Sequence, residues 1–253
     1  MVLGPWRGLV LAYFRKFKAN PRCERFETTA FRGLDLGAFA KEVKEKGLSK
    51  EMRVPQSLVD EIVEYSHKYS YACTGQWECD AIRRLHHDPF IVDVVKEYFG
   101  GAEPIAHSTC LFWTYPHNHA ADYPERFHYD VSDYKGLVVY VYLTGVDENC
   151  GAHVAVEGTH IRKTLLQRLN PFMKDEAAQA KYGSRIRVFT GPAGTAFFED
   201  QLCLHKRLIA KQSRLALILN YTLQRPAQSY DVSARQNKMS TVRRAASVSA
   251  GGN

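Results

Sequence analysis

The chain has no CxxC pair. Its six cysteines, at positions 23, 73, 79, 110, 150 and 203, never come closer than six positions, which excludes zinc-ribbon spacing and points to free thiols in a reducing compartment. Long apolar runs are also missing. The strongest one in the middle of the chain, residues 136–146, is too short to cross a bilayer as a helix. The uncharged stretch Gly8 to Phe14 runs into Arg15-Lys16-Phe17-Lys18 with no small-residue cleavage site, so no secretory signal is expected. A cytoplasmic protein is the expectation from these absences. Nor does one sign of charge dominate. The formal charge is +7 with pI about 9.0, but the basic residues are dispersed and gather mainly near both ends. No nucleic-acid partner is therefore expected.

Hydrophobic residues make up 45% of the 253 positions and charged residues 24%, ordinary values for a globular protein that buries a sizeable core. The expected layout is one domain over residues 1–227, helical up to about 104 and a β-barrel from about 105, with 228–253 a disordered tail lacking any apolar pattern. Trp6, Val10, Tyr13, Phe14 and Phe17 fall near helical spacing with basic residues on other faces. This segment reads as a helix packed on the domain or as a peripheral membrane contact. Further helices are predicted over Leu36 to Lys46, closed by Gly47, over Pro55 to Tyr69, and over Asp88 to Phe99, stopped by Gly100-Gly101.

From Ile105 the texture changes to aromatic and β-branched runs broken by turn residues. Strands are predicted at Ser108 to Tyr115, Leu137 to Leu143, Ala152 to Val156, Arg185 to Thr190, Thr195 to Glu199 and Leu215 to Leu223. In the second of these, Leu137, Val139, Val141 and Leu143 lie on one face and Val138, Tyr140, Tyr142 and Thr144 on the other. The loop from Pro116 to Arg126 carries His117 and His119, read as solvated or substrate-facing. The segment Ile161 to Tyr182 is helical in parts and reads as a lid or a connection.

Chemistry enters with His128 and Asp130 in Phe127-His128-Tyr129-Asp130. Composition alone yields about one His-x-Asp/Glu match, and a second is present at His86-His87-Asp88. There, however, Asp88 is followed by Pro89 and a helical apolar run, the signature of a helix N-cap. His128 and Asp130 have no such explanation. In an extended segment they point the same way, and His205 can complete a set of two imidazoles and one carboxylate, the donor set of Fe(II) sites with open positions for oxygen. Arg214 then begins a strand whose Arg214, Ala216, Ile218, Asn220 and Thr222 share one face, opposite Leu215, Leu217, Leu219 and Tyr221. A guanidinium there can hold a carboxylate by two parallel charge-assisted hydrogen bonds.

The order of these elements resembles the phytanoyl-CoA dioxygenase family of Fe(II)- and 2-oxoglutarate-dependent oxygenases. The resemblance runs over roughly residues 105–225, through Leu111-Phe112-Trp113-Thr114-Tyr115-Pro116, Phe127-His128-Tyr129-Asp130, Asp147-Glu148-Asn149-Cys150-Gly151, Val156-Glu157-Gly158-Thr159-His160, Gly194-Thr195-Ala196-Phe197-Phe198, His205 and Gln212-Ser213-Arg214. It implies a double-stranded β-helix (jelly roll) with flanking helices, a mainly β, α+β fold. It also implies iron at His128, Asp130 and His205, with 2-oxoglutarate held at its far carboxylate by Arg214. Many members carry a Lys where this chain has Thr114, and a small hydroxyl residue where it has Arg207. Thr114, Tyr140 and Tyr142 are candidates for the remaining co-substrate contacts by their inward position.

The implied reaction consumes O2 and 2-oxoglutarate, releases succinate and CO2, and is supported by ascorbate as a reductant. Asp130 fills a ligand position that related halogenases leave to halide, so hydroxylation is expected. The substrate class is a small molecule or a tethered metabolite. Two other readings are a membrane-surface lipid or glycolipid hydroxylase, from the N-terminal segment, and a binding module on the same barrel whose triad is only structural.

Overall fold

Alternation in two long strands decides the architecture. In the computed structural model, which describes residues 9, 12, 13, 20–68, 72–74, 78–116, 125–130, 135–161, 163 and 170–223, nine strands form two antiparallel sheets. The strands are β1 (Met52–Arg53), β2 (Ala72–Thr74), β3 (Ile105–Thr114), β4 (Gly136–Tyr142), β5 (His153–Val156), β6 (Ile186–Phe189), β7 (Thr195–Asp200), β8 (Leu204–Arg207) and β9 (Arg214–Thr222). The larger sheet runs β1-β7-β4-β9-β3-β2 and the smaller β6-β5-β8. Together they make the jelly roll expected from the sequence.

The helices α1 (Leu36–Lys46), α2 (Gln56–Ser66), α3 (Asp80–His86), α4 (Pro89–Tyr98) and α5 (Asp175–Tyr182) accompany the sheets among the described residues. The outward faces of β4 and β9 carry Leu137, Val139, Val141, Leu215, Leu217, Leu219 and Tyr221, all fully buried in one core with side chains of α1 to α4. Phe39 of α1 meets Phe198 of β7 edge-on, with ring centroids 6.2 Å apart. The Tyr221 hydroxyl donates to the His86 carbonyl at 2.8 Å, tying α3 to β9. The inward faces hold a second core built on Tyr142, Phe189, Phe197 and Ala216. One strand thus serves two cores, because side chains alternate sides every residue.

Asp88 does cap α4: its Oδ1 accepts from the Phe90 N–H at 2.9 Å, and Oδ2 accepts from the Ala30 N–H at 2.7 Å. The short α3, on a sequence without strong periodicity, was not anticipated. The N-terminal amphipathic segment, apart from isolated positions, the His117 and His119 loop, most of the 162–169 stretch and the tail from 224 lie outside the described residues. Among the described residues no helix is long and apolar enough to cross a membrane, and Cys23, Cys79, Cys150 and Cys203 are free thiols.

Candidate metal and co-substrate site

His205 lies inside β8, a strand not among those expected from the sequence, and this placement builds the site. Its N–H donates to the His128 carbonyl at 2.7 Å, and the His128 N–H donates to the His205 carbonyl at 2.8 Å. That two-way bridge sets the imidazoles side by side, with ring centroids 4.4 Å apart. Asp130 is held next to them by its own N–H, which donates to the Gln201 carbonyl at 2.9 Å. Gln201 belongs to the turn between β7 and β8. Asp200 shapes that turn, since its side chain accepts from the Leu202 N–H at 2.8 Å and from the Tyr98 hydroxyl.

One ligand atom from each of His128, Asp130 and His205 lies within 4.8 Å of the other two. The ring tautomers suit a metal. His128 Nδ1 is 2.7 Å from the Arg126 carbonyl and His205 Nδ1 is 3.0 Å from the Cys203 carbonyl. A carbonyl only accepts, so both Nδ1 atoms carry a proton and Nε2 is the nitrogen of each ring left to meet an ion. Asp130 Oδ2 is 3.6 Å from His205 Nε2 and half-buried. Two neutral imidazoles and one carboxylate are a donor set that fits Fe(II).

Electrostatics separate the two imidazoles. Burial, reinforced by the neighbouring His205, lowers the His128 pKa. Burial also opposes charge on His205, but Glu199 and Asp130 outweigh it and raise its pKa to about 9. A metal ion at this site therefore displaces a proton from His205.

Arg214 stands opposite Thr114 in the β3–β9 pairing. It is 2% exposed, and neither its Nε nor its Nη1 has a hydrogen-bond partner. An arginine stays charged under such burial, and an uncompensated buried cation is costly. The site consequently asks for an anion, and a carboxylate meets the guanidinium geometry. Tyr142 lies beneath Arg214, its ring centroid 5.5 Å from Cζ. Its hydroxyl donates to the Phe189 carbonyl and accepts from the His153 N–H, both at 3.0 Å, so Tyr142 faces the guanidinium with its ring. Tyr140 is half-buried over His153, at 4.4 Å between rings. Burial, with Glu199 nearby, pushes its phenol pKa well up, keeping a proton to donate.

Thr114 and Arg207, the two departures from the family pattern, touch each other. Arg207 Nη1 donates to Thr114 Oγ1 at 3.3 Å, and Arg207 Nη2 pairs with the buried Glu125. Two further residues, Glu199 and His153, were not anticipated. Both are buried, with Glu199 Oε2 2.6 Å from His153 Nε2 and Glu199 Oε1 3.3 Å from His205 Nδ1. The signal was available for Glu199, an acidic residue following Ala196-Phe197-Phe198 on a buried strand. In front of the triad the inward residues Phe112, Tyr140, Ile218 and Asn220 are only half-buried although their strands are central.

No protein-family model matches the sequence, and no curated protein matches it. Solved structures do. The chain is similar to the epimerase SnoN in complex with Fe3+, alpha ketoglutarate and nogalamycin RO, at 18% identity and a TM-score of 0.57, over 74% of this chain and 82% of that one. It is also similar to the non-heme alpha ketoglutarate dependent carbocyclase SnoK from nogalamycin biosynthesis, at 16% and 0.53, over 78% and 87%. A third is EctD from S. alaskensis with 2-oxoglutarate and 5-hydroxyectoine, at 16% and 0.54, over 82% and 84%. At such identities the likeness is one of fold.

Proposed function

We propose that the protein is an Fe(II)- and 2-oxoglutarate-dependent oxygenase of the phytanoyl-CoA dioxygenase type, one catalytic unit over residues 1–227, that hydroxylates a small-molecule or tethered metabolite. The observation that carries this reading is the presence in one barrel of the His128, Asp130 and His205 cluster and a buried Arg214 with unpartnered nitrogens. Neighbours of the same fold whose titles name α-ketoglutarate or 2-oxoglutarate add support.

In this reading His128 and His205 hold iron through Nε2 and Asp130 through a carboxylate oxygen. Iron with 2-oxoglutarate and O2 supplies the oxidant that takes hydrogen from a substrate carbon, with succinate and CO2 released. Arg214 binds the far carboxylate of 2-oxoglutarate with its paired N–H groups. The protonated Tyr140 phenol and the Thr114 hydroxyl are further groups for orienting it, and the Tyr142 ring backs the guanidinium. Burial of Arg214, His128 and His205 keeps water from screening these contacts. Phe112, Ile218 and Asn220 offer the substrate a largely apolar wall with one amide. Asp130 occupies the position a halide would need, which favours hydroxylation.

The test is direct. Purified protein given Fe(II), ascorbate, 2-oxoglutarate and O2 is expected to form succinate, slowly without substrate and faster with it. The same folded protein carrying His128→Ala and Asp130→Ala together is expected to lose both iron binding and succinate formation. Absence of iron binding in the native chain, or binding untouched by the double substitution, rejects the reading. Since two of the neighbours are an epimerase and a carbocyclase, the product's mass separates the outcomes: one oxygen gained for hydroxylation, none for inversion, two hydrogens lost for oxidative ring closure.

A further inference from the structure

Behind His205, on the side away from the proposed metal, sits a buried carboxylate with no structural work to explain it. Glu199 is 1% exposed and lies on the inward face of β7 together with Phe197. Neither of its oxygens has a well-directed hydrogen bond. It lies at ion-pair distance from two imidazoles instead, 2.6 Å from His153 Nε2 and 3.3 Å from His205 Nδ1. The His153 and His205 rings are 5.4 Å apart and inclined by 31°, with the carboxyl group between their nitrogens, and Tyr140 covers the outer face of His153. A barrel interior built for stability alone would be better served by an apolar side chain here, because a carboxylate removed from water is costly unless fully compensated.

We propose that Glu199, held by His153, is a positioning residue for the metal ligand His205. When an imidazole gives its Nε2 lone pair to a cation, the ring becomes more imidazolium-like and its Nδ1–H more acidic. The Cys203 carbonyl already accepts that proton at 3.0 Å; the Glu199 carboxylate beside it adds a negative charge that stabilises the polarised ring and strengthens the Nε2 donor. His128 has the Arg126 carbonyl in the same place, 2.7 Å from Nδ1, and among the described residues no carboxylate lies at ion-pair distance from that nitrogen. The two imidazoles are therefore unequal ligands, with His205 the stronger. His153, with Nε2 2.6 Å from Oε2, keeps the carboxylate from turning away.

This inference rests on the triad being a metal site, and its test separates the two. Co(II) is titrated anaerobically into the full chain, native and with Glu199→Gln, which preserves shape and removes charge. The native protein is expected to bind, and the variant to bind about ten- to a hundredfold more weakly with a thermal midpoint close to native. In the Zn(II)-loaded protein, ring nitrogen and proton resonances of His205 are expected to move on Glu199→Gln while those of His128 stay, a selectivity that a general loss of packing would not produce. A folded variant whose Co(II) affinity is within twofold of native overturns the inference. If the variant does not fold, the native Zn(II) form decides: the Nδ1 proton of His205 should resonate well downfield of that of His128, and equal shifts overturn the inference. Failure of the native chain to take up Co(II) rejects the metal reading itself. Binding that is abolished by His128→Ala but unaffected by Glu199→Gln rejects this inference alone.

Discussion

At the scale of single residues, two arginines, Arg214 buried and Arg207 half-buried, separate what serves the fold from what serves a ligand. Arg214 is an orphan cation whose Nε and Nη1 lack partners, so in the absence of co-substrate it weakens the fold. Arg214→Met is accordingly expected to raise the thermal midpoint of the ligand-free protein, by an amount equivalent to about 1–4 kcal/mol, while abolishing 2-oxoglutarate-dependent turnover. Arg214→Lys is expected to keep charge but lose the two-pronged geometry, giving a higher KM for 2-oxoglutarate. Arg207 behaves in the opposite way. It contacts Thr114 Oγ1 and pairs with the buried Glu125, and Arg207→Ala removes that ion pair. Its thermal midpoint is expected to fall, by an amount equivalent to about 3 kcal/mol. Calorimetry on the two arginine variants side by side checks the sign: a fall for Arg214→Met, or none for Arg207→Ala, contradicts the assignment.

At the scale of elements, the C-terminus of α1 is locked to the turn that presents His205. Gly47 adopts φ 77°, and a Cβ there would meet Cys203 Sγ and His160 Nδ1, each at 2.4 Å. Its carbonyl accepts from the Asp200 N–H at 2.8 Å. Gly47→Ala is expected to destabilise by more than the roughly 1 kcal/mol of left-handed strain alone, since the turn after β7 must shift, and to weaken metal binding along with the fold; denaturant unfolding and a Co(II) titration check both. Gly47 was legible as a helix stop because a glycine follows the last periodic residue. So were β4 and β9, whose aliphatic and aromatic or polar faces differ sharply. The triad was legible through spacing and order. His153 was not, and Glu199 was marked only as an acidic residue on an apolar strand, since their meaning arises only when β5, β7 and β8 bring them together. The coupling of Thr114 with Arg207 is likewise a fact of register between distant strands. The short β8 was hidden because Leu204-His205-Lys206-Arg207 alternates poorly and buries only its first half well.

At the scale of the whole molecule, the seam between the helical layer and the larger sheet contains a group that makes the fold sensitive to acid. His86 ends α3 and is fully buried; its ring stands edge-on to Tyr221 at 4.9 Å, and its Nε2 lies 3.2 Å from the Asn220 carbonyl. Burial pushes its pKa down to about 3, against a smaller upward pull from that carbonyl. In the unfolded chain the same imidazole titrates near its ordinary value of about 6.5. Above that pH both states leave it neutral and it contributes no pH dependence. As pH falls between about 6.5 and 3 the unfolded chain takes up a proton that the folded chain refuses, and stability declines by about 1.4 kcal/mol per pH unit from this group alone. His205 has the opposite sign in the metal-free protein: its raised pKa of about 9 favours the fold at low pH and loses that contribution as pH rises toward 9. The acid limb of the stability profile is therefore assigned to His86 together with His128 and His153, whose pKa values burial also lowers, while His205 opposes them. His86→Phe keeps a ring against Tyr221 and cannot titrate. Chemical denaturation from pH 7 to pH 4 should show the native protein losing stability more steeply than the variant, whatever their difference at pH 7. Parallel curves would place the acid sensitivity elsewhere and would mean that His86 accepts a proton without leaving the seam between α3 and β9.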